Sequence, residues 1–561
     1  MKKISRPVLP LFVPILLSFC CKKSPNIHNN SKPVVQLAAE MISANPFTFK
    51  FVATASDVEG DPLTYSWNFG EGTVKKGSAT ETFSYPDDGV YKVTVTVSDG
   101  QSPSVEATET ISTVLRSVSV DLNQTFQTME GFGGFGAMDN YWTAGPFTSP
   151  AFVNTLINDL GVTILRDNIP SNFEIVNDNA DPFVTDLSKF NLNNSSPGID
   201  GKLADHIPYL KNMHAAGLEK LIVSIWSAPP WMKTNNRVDN GTTQNAAPAY
   251  NENPTTADNQ LRTDMYEEFA EMCVAYIKVI KQETGIDIYA LSIQNEPRFS
   301  QFYASCVYNG PALRDLLKVV GKRFRAEGLT TKLFLPEDIG WLDGVGGMVK
   351  PSLEDPESRD YADIVAVHGY DLDGVTANSP DAQSWKTMYS WGASYNKPLW
   401  MTETSGYKND WAGAMRLAKA MYTAIRQGNV SAWLYWTIST GTLDEFSLMS
   451  SSGLKSKRYY VSRNFYRFIR PGAQRVSAEE PADSQIYPLA FRHILQQATT
   501  IVLINESERP EAITLKGSGL PSQFNEFITT VLQDCIDAGP VETNSRVILP
   551  PNSVTTLYSK N

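Results

Sequence analysis

From residue 129 to about residue 472 the chain repeats one pattern: a short apolar run, then a segment of helical period, eight times over. The apolar runs are Gly131–Ala137, Val162–Asn168, Lys220–Trp226, Ile288–Gln294, Lys332–Pro336, Asp363–His368, Pro398–Thr402 and Ser431–Thr437. Between them, apolar residues recur at three and four. Leu203, Ile207 and Leu210 share a face, as do Met265, Phe269, Met272, Cys273, Tyr276, Ile277 and Ile280, and Leu313, Leu316, Leu317, Val320 and Phe324. Ser149-Pro150 has the form of a cap followed by a first-turn proline, and Gly217, Gly285, Gly328 and Gly428 stand where helices should stop. Strands separated by helices must run parallel, and eight such units close on themselves. The expected class is α/β, a (β/α)8 TIM barrel over 115–472.

Outside this region the period shortens to two. Between 34 and 114, Phe47, Phe49 and Phe51 alternate, as do Tyr65 and Trp67, and Tyr91, Val93, Val95 and Val97, with turns at Glu59-Gly60-Asp61-Pro62 and Asp87-Asp88-Gly89. This is the pattern of a small Ig-like β-sandwich. Its runs Tyr65–Gly72 and Phe83–Asp99 resemble the polycystic-kidney-disease-type (PKD) domain, which implies a spacer or a weak binding module. Over 473–561 alternation returns at Ile486–Phe491, Thr500–Ile504, Phe527–Leu532 and Thr555–Ser559, predicting a second β-sandwich beside the barrel, which the strand near 117–120 would join.

The start of the chain has the form of an export signal over residues 1–21. Lys2, Lys3 and Arg6 precede an apolar run from Val8 to Phe19, too short to span a bilayer comfortably. It ends at Cys20-Cys21-Lys22-Lys23, resembling a bacterial lipoprotein signal with Cys20 or Cys21 as the lipidation site; a plain cleaved secretion signal is the alternative. Residues 22–33 are polar and predict a linker. The expected location is outside the cytoplasm, on the periplasmic or surface face of the outer membrane, with any membrane contact made through that lipid. The formal net charge of −12 disfavours nucleic acid. The remaining cysteines, Cys273, Cys306 and Cys535, are far apart, and no metal motif is present, so neither a metal nor a cofactor is expected. The chain is expected to act as a monomer.

In a parallel barrel the C-terminal strand ends face one mouth, and catalytic side chains gather there. The fourth run leads into Ser292-Ile293-Gln294-Asn295-Glu296-Pro297, the seventh into Trp400-Met401-Thr402-Glu403. These strands oppose each other, so Glu296 and Glu403 are predicted to meet across the cleft. Paired carboxyl groups are what glycoside hydrolysis requires, one protonated to release the leaving sugar and one ionised to attack the anomeric carbon. A structural ion pair is the competing reading for either glutamate taken alone.

The segments Met129–Gly136, Ile164-Leu165-Arg166, Trp226–Lys233, Ser292–Pro297, Trp400–Glu403, Ser456–Gly472 and Leu549–Thr556 together resemble glycoside hydrolase family 30, from about residue 117 to 561. That resemblance implies a retaining β-glycosidase with Glu296 as acid/base and Glu403 as nucleophile. Asn295 is a candidate for the substrate hydroxyl beside the reacting carbon. Arg166 is expected to hold Glu403 ionised, against pairing with Asp167 or Glu174. Trp226, Trp231 and Trp436 are candidate sugar platforms, with core packing as the alternative, above all for Trp231. His368 and Tyr370, ending the sixth strand, are further candidates. Glu337-Asp338 is a rival acidic pair read as loop. The implied substrate is a polysaccharide or oligosaccharide, either xylan or a β-1,6-linked glucan or galactan. Thr437–Leu443 lacks the arginines of the family's glucuronoxylan xylanases, which places glucuronate-dependent cleavage in doubt. A glucosylceramidase-like exo-enzyme and a non-catalytic polysaccharide-binding lipoprotein are the alternatives.

Overall fold

The computed structural model describes residues 30–44, 46–136, 149–193, 203–241, 249–250, 259–340, 342–375 and 379–560. The export signal with Cys20 and Cys21, most of the linker, Ala137 and much of the long segment after the third barrel strand lie outside the described residues. The described residues form two compact units, one of those from 30 to 42 with 48–84 and 91–111, the other of those within 43–47, 85–90 and from 112 onward.

In the first unit a three-stranded sheet (Val34–Ala44, Phe47–Ser56, Thr80–Tyr85) accompanies a four-stranded one (Val74–Gly77, Thr64–Asn68, Val90–Ser98, Val105–Ser112). Alternation decides what is inside: Phe49, Phe51, Trp67, Val93, Val95 and Val97 are fully buried, while the residues between them are wholly or partly exposed. The Trp67 indole N–H donates to the Ser78 carbonyl at 3.0 Å.

The second unit contains a closed parallel barrel. Its strands are β1 (Gly131–Phe135), β2 (Ile164–Asn168), β3 (Lys220–Ser224), β4 (Ile288–Ser292), β5 (Lys332–Asp338), β6 (Ile364–His368), β7 (Leu399–Glu403) and β8 (Val430–Tyr435), and β8 pairs back onto β1. All eight expected runs are strands. Ser149 caps the first helix by accepting from the Phe152 amide, with Pro150 at its first position, and Gly285 ends the helix Tyr266–Thr284 in the left-handed conformation. Gly428 also follows a helix, but its φ of −92° is right-handed. Gly133 of β1 is required sterically, because a Cβ there would lie 1.7 Å from the Ile164 carbonyl oxygen.

Ile164, Ile222, Ala290, Phe334, Ile364, Ala366, Trp400, Ala432 and Leu434 fill the barrel interior, whereas their neighbours Leu165, Val223, Leu291, Leu335, Val367 and Met401 face the helices. Two residues beyond an inward side chain lies the next inward one. Arg166, Ser224 and His368 therefore follow Ile164, Ile222 and Ala366 toward the mouth.

A nine-stranded sheet completes the unit. Its order is Ile536–Glu542, Gln523–Thr529, Ser553–Lys560, Ala498–Asn505, Ile486–His493, Gln474–Glu479, Leu115–Thr128, Glu511–Lys516 and Val547–Leu549. These strands share a core of residues that include Val118, Val476, Ile501, Phe524 and Leu557. The strand before the barrel does enter this sheet, pairing parallel to Glu511–Lys516 and antiparallel to Gln474–Glu479. The expected run Phe527–Leu532 ends earlier, at Thr529; Val531 and Leu532 are exposed in the turn beyond it.

Candidate active site

Period two alone would not bring Glu403 into the mouth. Trp400 faces inward and Met401 outward, so strict alternation sends Glu403 outward with Met401. The β6–β7 register shifts here: Val367 pairs with Met401 but His368 with Glu403, leaving Thr402 as an extra residue. A one-residue bulge exchanges faces, and Glu403 turns inward. A second bulge lies in β5, where Pro336 pairs with Ala366 and Asp338 with Val367, leaving Glu337 as the extra residue with φ 52°. Glu296, beyond β4, also has left-handed backbone at φ 48°, and its amide donates to the Glu337 carbonyl at 3.0 Å. Left-handed non-glycine residues of this kind concentrate at functional sites.

These distortions gather one polar cluster. One oxygen each from Glu296 and Glu403 and one nitrogen of His368 lie within 4.8 Å of one another. Glu403 Oε2 accepts from Arg166 Nη1 at 2.5 Å, and its Oε1 from the Tyr370 hydroxyl at 2.8 Å. Arg166 also donates from Nη2 to Asn295 Oδ1 at 2.6 Å and from Nε to Ser224 Oγ at 3.0 Å, with Glu337 Oε1 3.0 Å from Nη2. Glu296 Oε1 lies 3.0 Å from His368 Nδ1. Of these groups, Arg166, Glu337 and His368 are wholly buried, while Glu296 and Glu403 retain 8% and 5% exposure.

The electrostatics separate the acids. Burial pushes the Glu296 carboxyl above the usual range, and nearby Glu403 adds to this against the opposing pull of His368. Burial also acts upward on Glu337, but Arg166 and His368 outweigh it and hold that carboxyl down at about 2. Burial disfavours a charged His368, yet Glu403, Glu296 and Glu337 together raise it to about 10, so both ring nitrogens carry protons at neutral pH. Nδ1 then donates to Glu296 Oε1. Burial and Glu403 raise the Tyr370 phenol well above its ordinary value, keeping it a donor.

Arg166 thus contacts Glu403, Asn295 and Glu337 rather than Asp167 or Glu174. Trp226 and Trp436 lie at the mouth: the Arg166 guanidinium sits 4.8 Å from the Trp226 ring, and Trp436 stacks on Phe135 with centroids 4.2 Å apart. Trp231 is partly buried, its ring packing against the barrel core and its indole N–H donating to the Glu174 carbonyl at 3.0 Å. Sequence reasoning missed the burial of Glu337 and Asp338. They read as a loop, but Asp338 forms a buried pair with Arg298 and Glu337 reaches the cluster. Their one visible signal was two adjacent acids at the end of a barrel strand. The spacing of Glu296, His368 and Glu403 would also suit a cation, but Nδ1 of His368 is already committed to Glu296.

Known proteins agree with this architecture. The family model of the PKD domain matches residues 30–114. A glucuronoxylanase, XynC, of Bacillus subtilis (strain 168) is 25% identical over 400 residues, 70% of this chain and 78% of that protein. The glycoside hydrolase family 30 subfamily 8 xylanase Xyn30A of Clostridium acetobutylicum superposes with a TM-score of 0.63 at 24% identity, covering 79% of this chain and all of that one. The endo-β1,6-glucanase BT3312 superposes with a TM-score of 0.57 at 18% identity, covering 88% and 99%. The chain is a PKD-type module followed by a (β/α)8 barrel with its side β-sandwich, and it resembles the glycoside hydrolases of family 30.

Proposed function

We propose that this protein is a retaining β-glycosidase of family 30 type that acts on a polysaccharide, with Glu296 as acid/base and Glu403 as nucleophile. The observation that carries this reading is the approach of the two carboxyl groups to within 4.8 Å over the barrel mouth. One oxygen of each within that reach suits the short separation of retaining enzymes, roughly 5–5.5 Å, better than the wider spacing of inverting ones.

In the first step a Glu403 oxygen attacks the anomeric carbon. The glycosidic C–O bond breaks, and the proton of Glu296 passes to the leaving oxygen. Arg166 and Tyr370 hold Glu403 in line. Bonding to the sugar removes the charge of Glu403, and with it the repulsion that adds to burial in raising Glu296. Glu296, now ionised, takes a proton from water as the water oxygen attacks the anomeric carbon and Glu403 departs. Asn295, fixed by Arg166, would bond the neighbouring sugar hydroxyl, and Trp226 and Trp436 would stack against sugar rings.

The substrate we propose is xylan or a β-1,6-linked glucan or galactan, cleaved without need of an acidic side group, because Thr437–Leu443 offers no cation to receive one. We propose further that the protein is exported and lipid-attached at Cys20 or Cys21. This rests on sequence; for the described part, no helix is long and apolar enough to cross a membrane. Segment 34–114 is proposed as a module dispensable for chemistry. The deciding experiment presents xylan, β-1,6-glucan, β-1,6-galactan, β-1,3/1,4-glucan and a glucosylceramide, and follows product anomers by NMR. An initially β product on one of the first three is expected; an initially α product overturns retention.

A further inference from the structure

Glu337 has no part in the steps above, yet it adjoins both halves of the site. It is the extra residue of the β5 bulge, wholly buried, and one oxygen, Oε1, stands 3.0 Å from Arg166 Nη2 and 3.8 Å from His368 Nε2. Arg166 holds Glu403, and His368 holds Glu296. The Glu337 carbonyl also accepts the Glu296 amide at 3.0 Å. A bulge is a common means of re-aiming one side chain beside an active site. Here it swings an acid under two cations, each of which grips a different carboxyl group.

We propose that Glu337 is a positioning residue that acts through Arg166 and His368 to keep Glu296 protonated before the first step; this rests on the assignment of the Glu296–Glu403 pair made above. The argument is one of charge. With Glu296 neutral, the cations Arg166 and His368 balance the anions Glu403 and Glu337. Remove Glu337 and two cations face one anion, so the Glu296 proton leaves more readily. Among the described residues, the groups facing Glu337 include Arg166 from β2, Ser224 from β3, Glu296 beyond β4, His368 from β6, and Glu403 from β7 through Arg166 and His368. Asp338, next on its own strand, is paired with Arg298. His368 keeps Glu403 and Glu296 as neighbours when Glu337 is neutralised, so it remains the cation that draws the proton from Glu296.

The test compares Glu337→Gln, of nearly the same shape and no charge, with Glu337→Asp, in the full chain. The readout is kcat/KM against pH on a soluble oligosaccharide that the parent cleaves. The basic limb of that profile reports the acid of the free enzyme. Glu337→Gln should move it downward by about one pH unit. Glu337→Asp, which keeps the charge, should leave the limb near the parent's while kcat falls through poorer placement. A folded Glu337→Gln with an unmoved limb overturns the proposal, since a merely structural role would lower rate or stability without shifting it. Should Glu337→Gln not fold, 15N NMR of the parent decides: both His368 ring nitrogens should be protonated at pH 8, and a neutral imidazole there overturns the charge balance. A parent that cleaves no β-glycan would instead defeat the assignment of the catalytic pair, leaving the two failures distinct.

Discussion

Arg166 places Nη1 2.5 Å from Oε2 of Glu403, and the pair is closed off from solvent on the arginine side. The same guanidinium also holds Asn295, so one side chain sets both the attacking carboxylate and the residue beside the acid. Arg166→Met should lower kcat by at least about a hundredfold and destabilise the fold by about 3–5 kcal/mol, because Glu337 and Glu403 lose their buried cation. Arg166→Lys should recover stability better than rate, since an ammonium cannot reproduce the fork. Steady-state kinetics and thermal melting of the two variants check this.

The two glutamates should separate by leaving group. Glu403→Gln should abolish turnover, and azide should not restore it, because the amide still occupies the space a small nucleophile needs. Glu296→Ala should lose most activity on poor leaving groups and keep more on activated aryl glycosides, which depart without a proton. Equal losses on both substrate types would reverse or void the assignment.

The Tyr370 hydroxyl donates to Glu403 at 2.8 Å. Tyr370→Phe removes one hydrogen bond to a charged group and little volume. A fall in kcat of about tenfold to a hundredfold is expected, matching about 1.5–3 kcal/mol, with KM nearly unchanged. A change confined to KM would place Tyr370 in substrate binding instead.

Stability should fall as pH rises through neutrality. Burial, reinforced by the neighbouring acids Asp178 and Glu268, raises Glu174 to about 9 and Glu271 to about 7. From the ordinary carboxyl range up to about 7 the folded chain holds both protons that the unfolded chain has lost, and up to about 9 it still holds that of Glu174. Each group therefore contributes stability at low pH that is lost on the way up, at most about 1.4 kcal/mol per pH unit. Melting temperatures between pH 5 and 9 measure this, and Glu174→Gln should flatten the upper part of the curve. A rising curve contradicts it.

Removal of 34–114 should leave hydrolysis of soluble oligosaccharides intact, with any loss confined to insoluble or surface-bound glycan. Loss of activity on the soluble substrate as well would mean that the catalytic part begins before residue 115.

The sequence by itself determined the scaffold. Eight apolar runs with helical segments between them leave a closed parallel barrel as the economical solution, and the runs lie where their β-branched and apolar residues predicted. It also named Glu296, Glu403 and Arg166, because strand ends in such a barrel share one mouth. It determined the N-terminal sandwich in the same way, through alternation that only a half-buried strand satisfies, while the runs Tyr65–Gly72 and Phe83–Asp99 carried its resemblance to the PKD domain. What the tertiary structure decided was facing. Period two, read along Trp400–Glu403, sends Glu403 outward; the extra residue Thr402 turns it in, and that bulge exists only as a mismatch with β6. The same holds for Glu337, a loop acid by sequence and a buried counter-charge in space. A bulge is a property of two strands in register, and a charge balance is a property of side chains from five strands. Neither has a signature along a single chain, because their energies come from neighbours that lie from about thirty to more than two hundred residues away in sequence.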